Sequence, residues 1–182
     1  MDENRQNPDR LLEVIQKEEK NQMRGHLKIF FGYAAGVGKT YSMLKAAHAA
    51  KRHGIDVVAG YIEPHARPKT AALLNGLELL HTRDIEYNGI TLHEFDIDAA
   101  MERKPQLLLV DELAHTNAEG CRHAKRYQDI EELLKAGIDV YTTVNVQHIE
   151  SLNDLVASIT EVFVRERIPD SVFDNADQAE LV

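Results

Sequence analysis

The sequence predicts an α/β fold in which a mainly parallel central sheet is covered by helices on both sides. Three observations carry that prediction. Leu27 to Tyr41, LKIFFGYAAGVGKTY, reads as an apolar strand, a small-residue loop and the start of a helix. Ile55 to Ile62 (IDVVAGYI) and Ile138 to Val144 (IDVYTTV) are apolar and β-branched, as strands buried on both faces are. Gln106 to Glu112, QLLLVDE, is an apolar run that ends in two carboxylates.

Residues 1–26 read as an N-terminal arm and an amphipathic helix. Asn7-Pro8 suits a helix start, and Leu11, Leu12, Val14 and Ile15 make one apolar stripe before the charged run KEEKNQ. This helix is expected to pack on the outside of the domain, with partner binding as the alternative. Residues 27–182 read as a single nucleotide-binding domain. The chain stops at Glu180-Leu181-Val182 with neither cap nor breaker, so a piece of a longer protein is expected.

The loop has the chemistry of a phosphate cradle. Glycines at 36 and 38 let main-chain N–H groups turn inward, and the helix opening at Lys39 points its positive dipole end at the same place. Lys39 can reach outer phosphates, and the Thr40 hydroxyl can ligate Mg²⁺. Together with Gly32, Ala35, Val37 and Tyr41 these residues form the expected nucleotide-binding set, and the fold they imply is a P-loop NTPase-like three-layer sandwich. Tyr33 stands where the first glycine of G-x-x-x-x-G-K-[ST] belongs and Gly32 precedes it, so the first turn of the loop is expected to differ. The alternative is a tight strand-to-helix turn that merely carries Gly, Lys and Thr.

Thr40 to His53 is helical in composition and Gly54 is a stop. After the strand at 55–62, Glu63, His65 and Arg67 fall at the carboxyl edge of the sheet, where α/β folds bind ligands; an ordinary solvated loop is the competing reading. Pro68 to Leu80 reads as a helix weakened by Asn75-Gly76. DIEYNGITLHEFD reads as a hairpin or an irregular crossing, and Asp96 as the cap of a short helix running to Lys104.

The strand over Leu107 to Val110 delivers Asp111 beside the loop, where its carboxylate would hold Mg²⁺ through water opposite Thr40. Glu112 is placed to orient or deprotonate an attacking water. His115 and Asn117 continue that edge. Arg122, His123, Lys125 and Arg126 head the next helix; Arg122 and Arg126, four apart, either face the γ-phosphate together or balance Asp129, Glu131 and Glu132. The strand at 138–144 then brings Asn145, Gln147 and His148 to the same edge, with Asn145 and Gln147 favoured as groups that sense phosphate or hold water. Ile149 to Ser158 reads as a helix and Thr160 to Ile168 as an edge strand, followed by an acidic tail.

The bulk properties narrow the function. The 182 residues carry a net charge of −9 with 43% apolar residues, enough for a sizeable core and against a nucleic-acid backbone as main partner. Cys121 is the single cysteine and the nine histidines show no zinc spacing, so a reducing cytoplasm is the expected home. No apolar run approaches the ~20 residues that cross a bilayer, so direct membrane insertion is not expected.

LKIFFGYAAGVGKTY, YIEPHARPKTAALLNGLE, LLLVDELAHTN, RHAKRYQDIEELLKAGIDVYTTVNVQHIESLND and IPDSVFDNADQAELV closely resemble the N-terminal cytoplasmic domain of the KdpD family of bacterial sensor histidine kinases. The likeness runs from about Pro8 to the end, and the glycine displaced to 32 is how that family looks. Ala35 and Ala118-Glu119-Gly120 depart from prolines more usual there. The resemblance implies an ATP- and Mg²⁺-binding regulatory domain of a two-component sensor that governs potassium uptake under potassium limitation and osmotic stress. It also implies a place on the cytoplasmic side of the inner membrane, with the remaining sensor domains and, indirectly, a response regulator as partners. Neither a histidine phosphoacceptor box nor the glycine boxes of a histidine-kinase ATP lid occur in this chain, so at most slow ATP hydrolysis or P-loop kinase activity is expected. Two other functions compete. One is a phosphotransferase acting on a small molecule or protein, and the other is a docking module with a vestigial loop, against which Lys39, Thr40, Asp111 and Glu112 speak.

Overall fold

The computed structural model describes residues 12, 14–16, 18, 19, 23–63, 67–160 and 163–182. In chain order the elements begin with β1 (Leu27–Gly32), α1 (Lys39–Arg52), β2 (Val57–Tyr61), α2 (Pro68–Ala72) and β3 (Glu78–Leu79). There follow β4 (Arg83–Tyr87), β5 (Ile90–Glu94), α3 (Ile97–Arg103), β6 (Leu107–Val110) and α4 (Arg126–Lys135). The chain continues through β7 (Asp139–Asn145), a 3₁₀ turn (Val146–His148), α5 (Glu150–Thr160), α6 (Asp170–Asp174) and β8 (Gln178–Leu181).

Six strands form one all-parallel sheet in the order β3-β2-β6-β7-β1-β8. Alternation along each strand divides the core between its two faces. Phe30, Val57, Ala59, Leu107 and Leu109 pack with Met43, Leu44 and Ala47 of α1. Ile29, Val58, Leu108, Val110 and Val140 pack with Ile97 and Ala100 of α3 and with Ile130, Leu133 and Leu134 of α4. The result is the expected three-layer sandwich. β1 sits between β7 and β8 while β2 lies beyond β6, so the crevice above the carboxyl ends of β1, β6 and β7 is where such a fold binds ligands.

The predicted hairpin is β4 and β5, a separate two-stranded antiparallel sheet closed by Asn88-Gly89 with φ of 49° and 79°. Both turn residues need positive φ, which Asn and Gly supply at least cost. Asp96 caps α3 by accepting from Ala99 N–H at 3.1 Å. Two expectations fail. The helix expected over Pro68 to Leu80 stops at Ala72, because turns through Asn75-Gly76 let Glu78–Leu79 join the sheet edge instead. The edge strand expected over Thr160 to Ile168 is not found among the described residues. α5 extends to Thr160, and the later segment is tied at Ile168, whose N–H donates to His148 O at 2.8 Å and whose carbonyl accepts from Glu150 N–H at 3.1 Å.

The helical start at Asn7-Pro8 lies outside the described residues, as does Leu11. Residues 12, 14–16, 18, 19 and 23 are helical, with Leu12, Val14 and Ile15 exposed, so this part of the stripe is not covered by the domain.

Asp129 of α4 is buried at 3% exposure, and that burial pushes its carboxyl up to about 6, against a hydrogen bond from Asn117 Nδ2 at 2.7 Å and the charges of His123 and Arg126. A carboxyl raised in this way contributes its stability fully below the unfolded value and loses it as pH rises through the folded one. Asp129→Asn is therefore expected to match the wild type near pH 4 and to exceed it at pH 7 by at most ~2–3 kcal/mol. Urea denaturation across that range checks this; a pH-independent difference would contradict it.

Candidate functional site

β1 ends at Gly32 and α1 begins at Lys39, so the loop between them must reverse direction over few residues. It does so through Gly36 and Gly38, at φ of 82° and 112°, where a side chain would be strained. Lys39 is 9% exposed, and its ammonium donates to Ala34 O at 2.8 Å. Burial lowers its pKa, while the negative charges of Asp111 and Glu112 oppose that shift.

Strand register sets the other half of the site. Gly32 lies opposite Asn145 and Val110 opposite Thr142, so the loop, Asp111 and the end of β7 share one edge. Thr40 Oγ1 lies 3.3 and 3.1 Å from the two Asp111 oxygens. Thr143, which sequence reasoning missed, holds this carboxylate in place: its hydroxyl donates to Asp111 Oδ1 and accepts from Glu112 N–H at 3.1 Å. Glu63 N–H donates to Asp111 Oδ2 at 3.3 Å. Glu112 has a positive φ of 61°, and its pKa is raised by burial first and then by the charges of Glu63 and Asp111.

A cleft of about 300 Å³ opens above these groups. Its walls include Ala35, Gly36, Gly38, Lys39, Thr40, Tyr41, Glu63, Arg67, Asp111, Glu112, His115 and Asn145, all singled out in the sequence. Gly32 and Val37 lie outside the wall, and a methyl on Gly32 would come within 2.8 Å of Val37 Cγ2, so the glycine gives that side chain room. His65 lies outside the described residues.

Four candidates fall elsewhere. Arg122 and Arg126 do not share a helix face, because α4 begins at Arg126. Arg122 pairs with Asp98 and Glu132 away from the cleft. Arg126 is fully buried, donating to Asp111 O at 3.1 Å and Glu94 Oε2 at 3.2 Å. Asn117 is drawn inward to His123 O and Asp129. Gln147 does not line the cleft, whereas His148 does, its Nδ1–H donating to Glu166 O at 2.7 Å. Asn145 lines the cleft as the sequence favoured, while the 3₁₀ turn after β7 puts His148 there in place of Gln147.

Glu94 and Glu166 were also missed. Glu94, the last residue of the hairpin, accepts from Ala118 N–H and sits 2.9 Å from His115 Nε2. Glu166 lines the cleft and accepts from Thr116 N–H at 3.0 Å. Each comes from a segment whose local pattern carries no site motif.

The donor set suits a phosphate-borne divalent cation. Among the described residues, no group of three or more His, Cys, Asp and Glu side chains is placed to hold a metal alone. One hydroxyl and one carboxylate at 3.1 Å match Mg²⁺, which takes few protein ligands and completes its shell with phosphate and water. Thr40 and Asp111 therefore fit the ion, provided a phosphate accompanies it.

An all-parallel sandwich with a glycine loop between its first strand and first helix belongs to the P-loop NTPase-like class of α/β proteins. The chain belongs to the KdpD family: the family described as "Osmosensitive K+ channel His kinase sensor domain" matches residues 23–182. It is 64% identical to a sensor protein KdpD of Clostridium acetobutylicum, covering all of this chain and 20% of that protein. It is 55% identical to that of Escherichia coli K12, covering 98% of this chain and 20% of the relative. A putative sensor protein KdpD of Synechocystis is 54% identical over 87% of this chain and 43% of its own length. The chain thus spans about a fifth of the first two relatives. Among the described residues no helix is long and apolar enough to cross a membrane.

Proposed function

We propose that this domain binds ATP with Mg²⁺ and regulates a Kdp sensor histidine kinase, on the cytoplasmic side of the inner membrane, that responds to potassium limitation and osmotic stress. The observation that supports this most is the approach of Thr40 Oγ1 to Asp111 beside a loop whose lysine bonds its own main chain. Lys39 would exchange Ala34 O for the outer phosphates, while the N–H groups around Gly36 and Gly38 cradle the remaining oxygens. Mg²⁺, when bound, would neutralise charge on those oxygens.

Occupancy can act as a signal only through a difference in affinity between two states. The groups able to report it are Glu63, whose N–H donates to Asp111, with Arg67 in the same cleft, and the segment 115–126, tied to the cleft through His115. The other sensor domains and, indirectly, the response regulator are the proposed recipients.

Hydrogen–deuterium exchange with and without ATP–Mg²⁺ tests the reading. Added protection is expected at 32–41 and 111–112, and protection confined elsewhere would contradict it. A second reading, phosphoryl transfer, is favoured by Glu112, which lines the cleft next to Asp111 and could take the nucleophile's proton. Rapid phosphate release or transfer in the same samples would promote it over regulation by occupancy.

A further inference from the structure

We infer that Arg67 is a phosphate-contacting residue of this cleft and makes the site selective for a nucleoside triphosphate over a diphosphate. The inference deepens the nucleotide reading and rests on it.

Three observations converge on Arg67. It lines the cleft although it belongs to the loop after β2 rather than to the glycine loop, and a methyl on Gly36 would come within 2.8 Å of its Nη2. A guanidinium is therefore seated against the part of the loop that would wrap a phosphate. Among the described residues lining the cleft, Lys39 and Arg67 are the two that carry a fixed positive charge, set against Glu63, Asp111, Glu112 and Glu166. Finally, the arginines that the sequence offered for this task are committed elsewhere, Arg126 to Asp111 O and Glu94 and Arg122 to Asp98 and Glu132. No ion pair ties Arg67 to another described residue, and its side chain is exposed.

The chemistry follows from the charges. A bound triphosphate brings more negative charge than Mg²⁺ and Lys39 neutralise, into a cleft already lined with carboxylates. The planar fork of Arg67 matches two phosphate oxygens at once, which a lysine at the same place would not. Glycine at 36 leaves the space through which that fork reaches the loop. The contact falls on the outermost phosphate, since the inner ones are enclosed by main-chain N–H groups and the α1 terminus.

Calorimetric titration of wild type, Arg67→Ala and Arg67→Lys with ATP and with ADP, each with Mg²⁺, tests this. Arg67→Ala is expected to weaken ATP roughly 10- to 100-fold while leaving ADP within about threefold, so that the ATP/ADP preference collapses. Arg67→Lys should restore only part of it. Because the side chain is exposed, thermal melting of the variants should match wild type. An unchanged ATP/ADP ratio in Arg67→Ala, or an equal loss for both nucleotides, would overturn the inference alone. A wild type that binds neither would remove the nucleotide reading and the inference with it.

Discussion

Arg126→Ala is expected to destabilise the domain by roughly 3–5 kcal/mol, the usual cost of removing one partner from a buried charge pair. The side chain is fully buried with its guanidinium carbon 4.1 Å from the centre of the Tyr61 ring. Burial raises the Tyr61 hydroxyl to about 12, and the arginine charge opposes that rise. Burial also acts to raise Glu94, but hydrogen bonds from His115 and Ala118 N–H, with the charges of His115 and Arg126, hold its carboxyl below the ordinary range. Without Arg126 that carboxylate stays buried with only His115 and Ala118 N–H to hold it, and the Asp111 carbonyl loses the guanidinium as donor. Urea denaturation measures the loss; a difference below about 1 kcal/mol would mean that the pocket relaxes or admits water. Glu94→Gln combined with Arg126→Met should recover part of the stability, since it leaves no unpaired charge.

This residue also shows where the sequence stops being legible. Four-residue spacing from Arg122 suggested one helix face, which holds only if both lie inside the helix. Position 126 is instead the first helical residue, and its side chain enters the core towards the carbonyl of Asp111 and a carboxylate that lies 32 positions earlier in the chain. A pairing over that separation leaves no local signature. The same applies to Asn117, taken up by Asp129, and to Glu94 and Glu166, which the hairpin and the segment before Ile168 bring to the cleft region.

What was legible depended on short-range rules. β1, the loop and α1 follow from an apolar run, glycines that accept positive φ and a Gly-Lys-Thr helix start. Asp111 and Glu112 follow from a buried apolar strand ending in two carboxylates about 70 residues after a phosphate loop, the pattern that puts acids at the carboxyl edge of such a sheet. The hairpin at Asn88-Gly89 and the cap at Asp96 are likewise local chemistry. The order of Asn145, Gln147 and His148 was not readable, because the turn after β7 is 3₁₀ and rotates successive side chains differently from a continuing strand or an α-helix. The helix after Pro68 was overextended because its composition suited a helix while sheet pairing at Glu78–Leu79 prevailed.

Lys39→Ala is expected to cost the largest share of ligand affinity. The ammonium is the cation that the glycine loop itself encloses, already partly desolvated, and it donates a hydrogen bond to the main-chain oxygen of Ala34. A phosphate offers it a charged acceptor in place of a neutral one, an interaction roughly twice as strong. Among the described residues no other lysine lines the cleft to substitute. The measurement is a calorimetric titration of wild type and Lys39→Ala with ATP and Mg²⁺, with thermal melting of both proteins as the control on folding. Saturable binding by wild type that weakens by at least ~100-fold in a folded Lys39→Ala is the predicted result. Equal binding by the two proteins, or no binding by wild type, would contradict the account of this cleft as a nucleotide site.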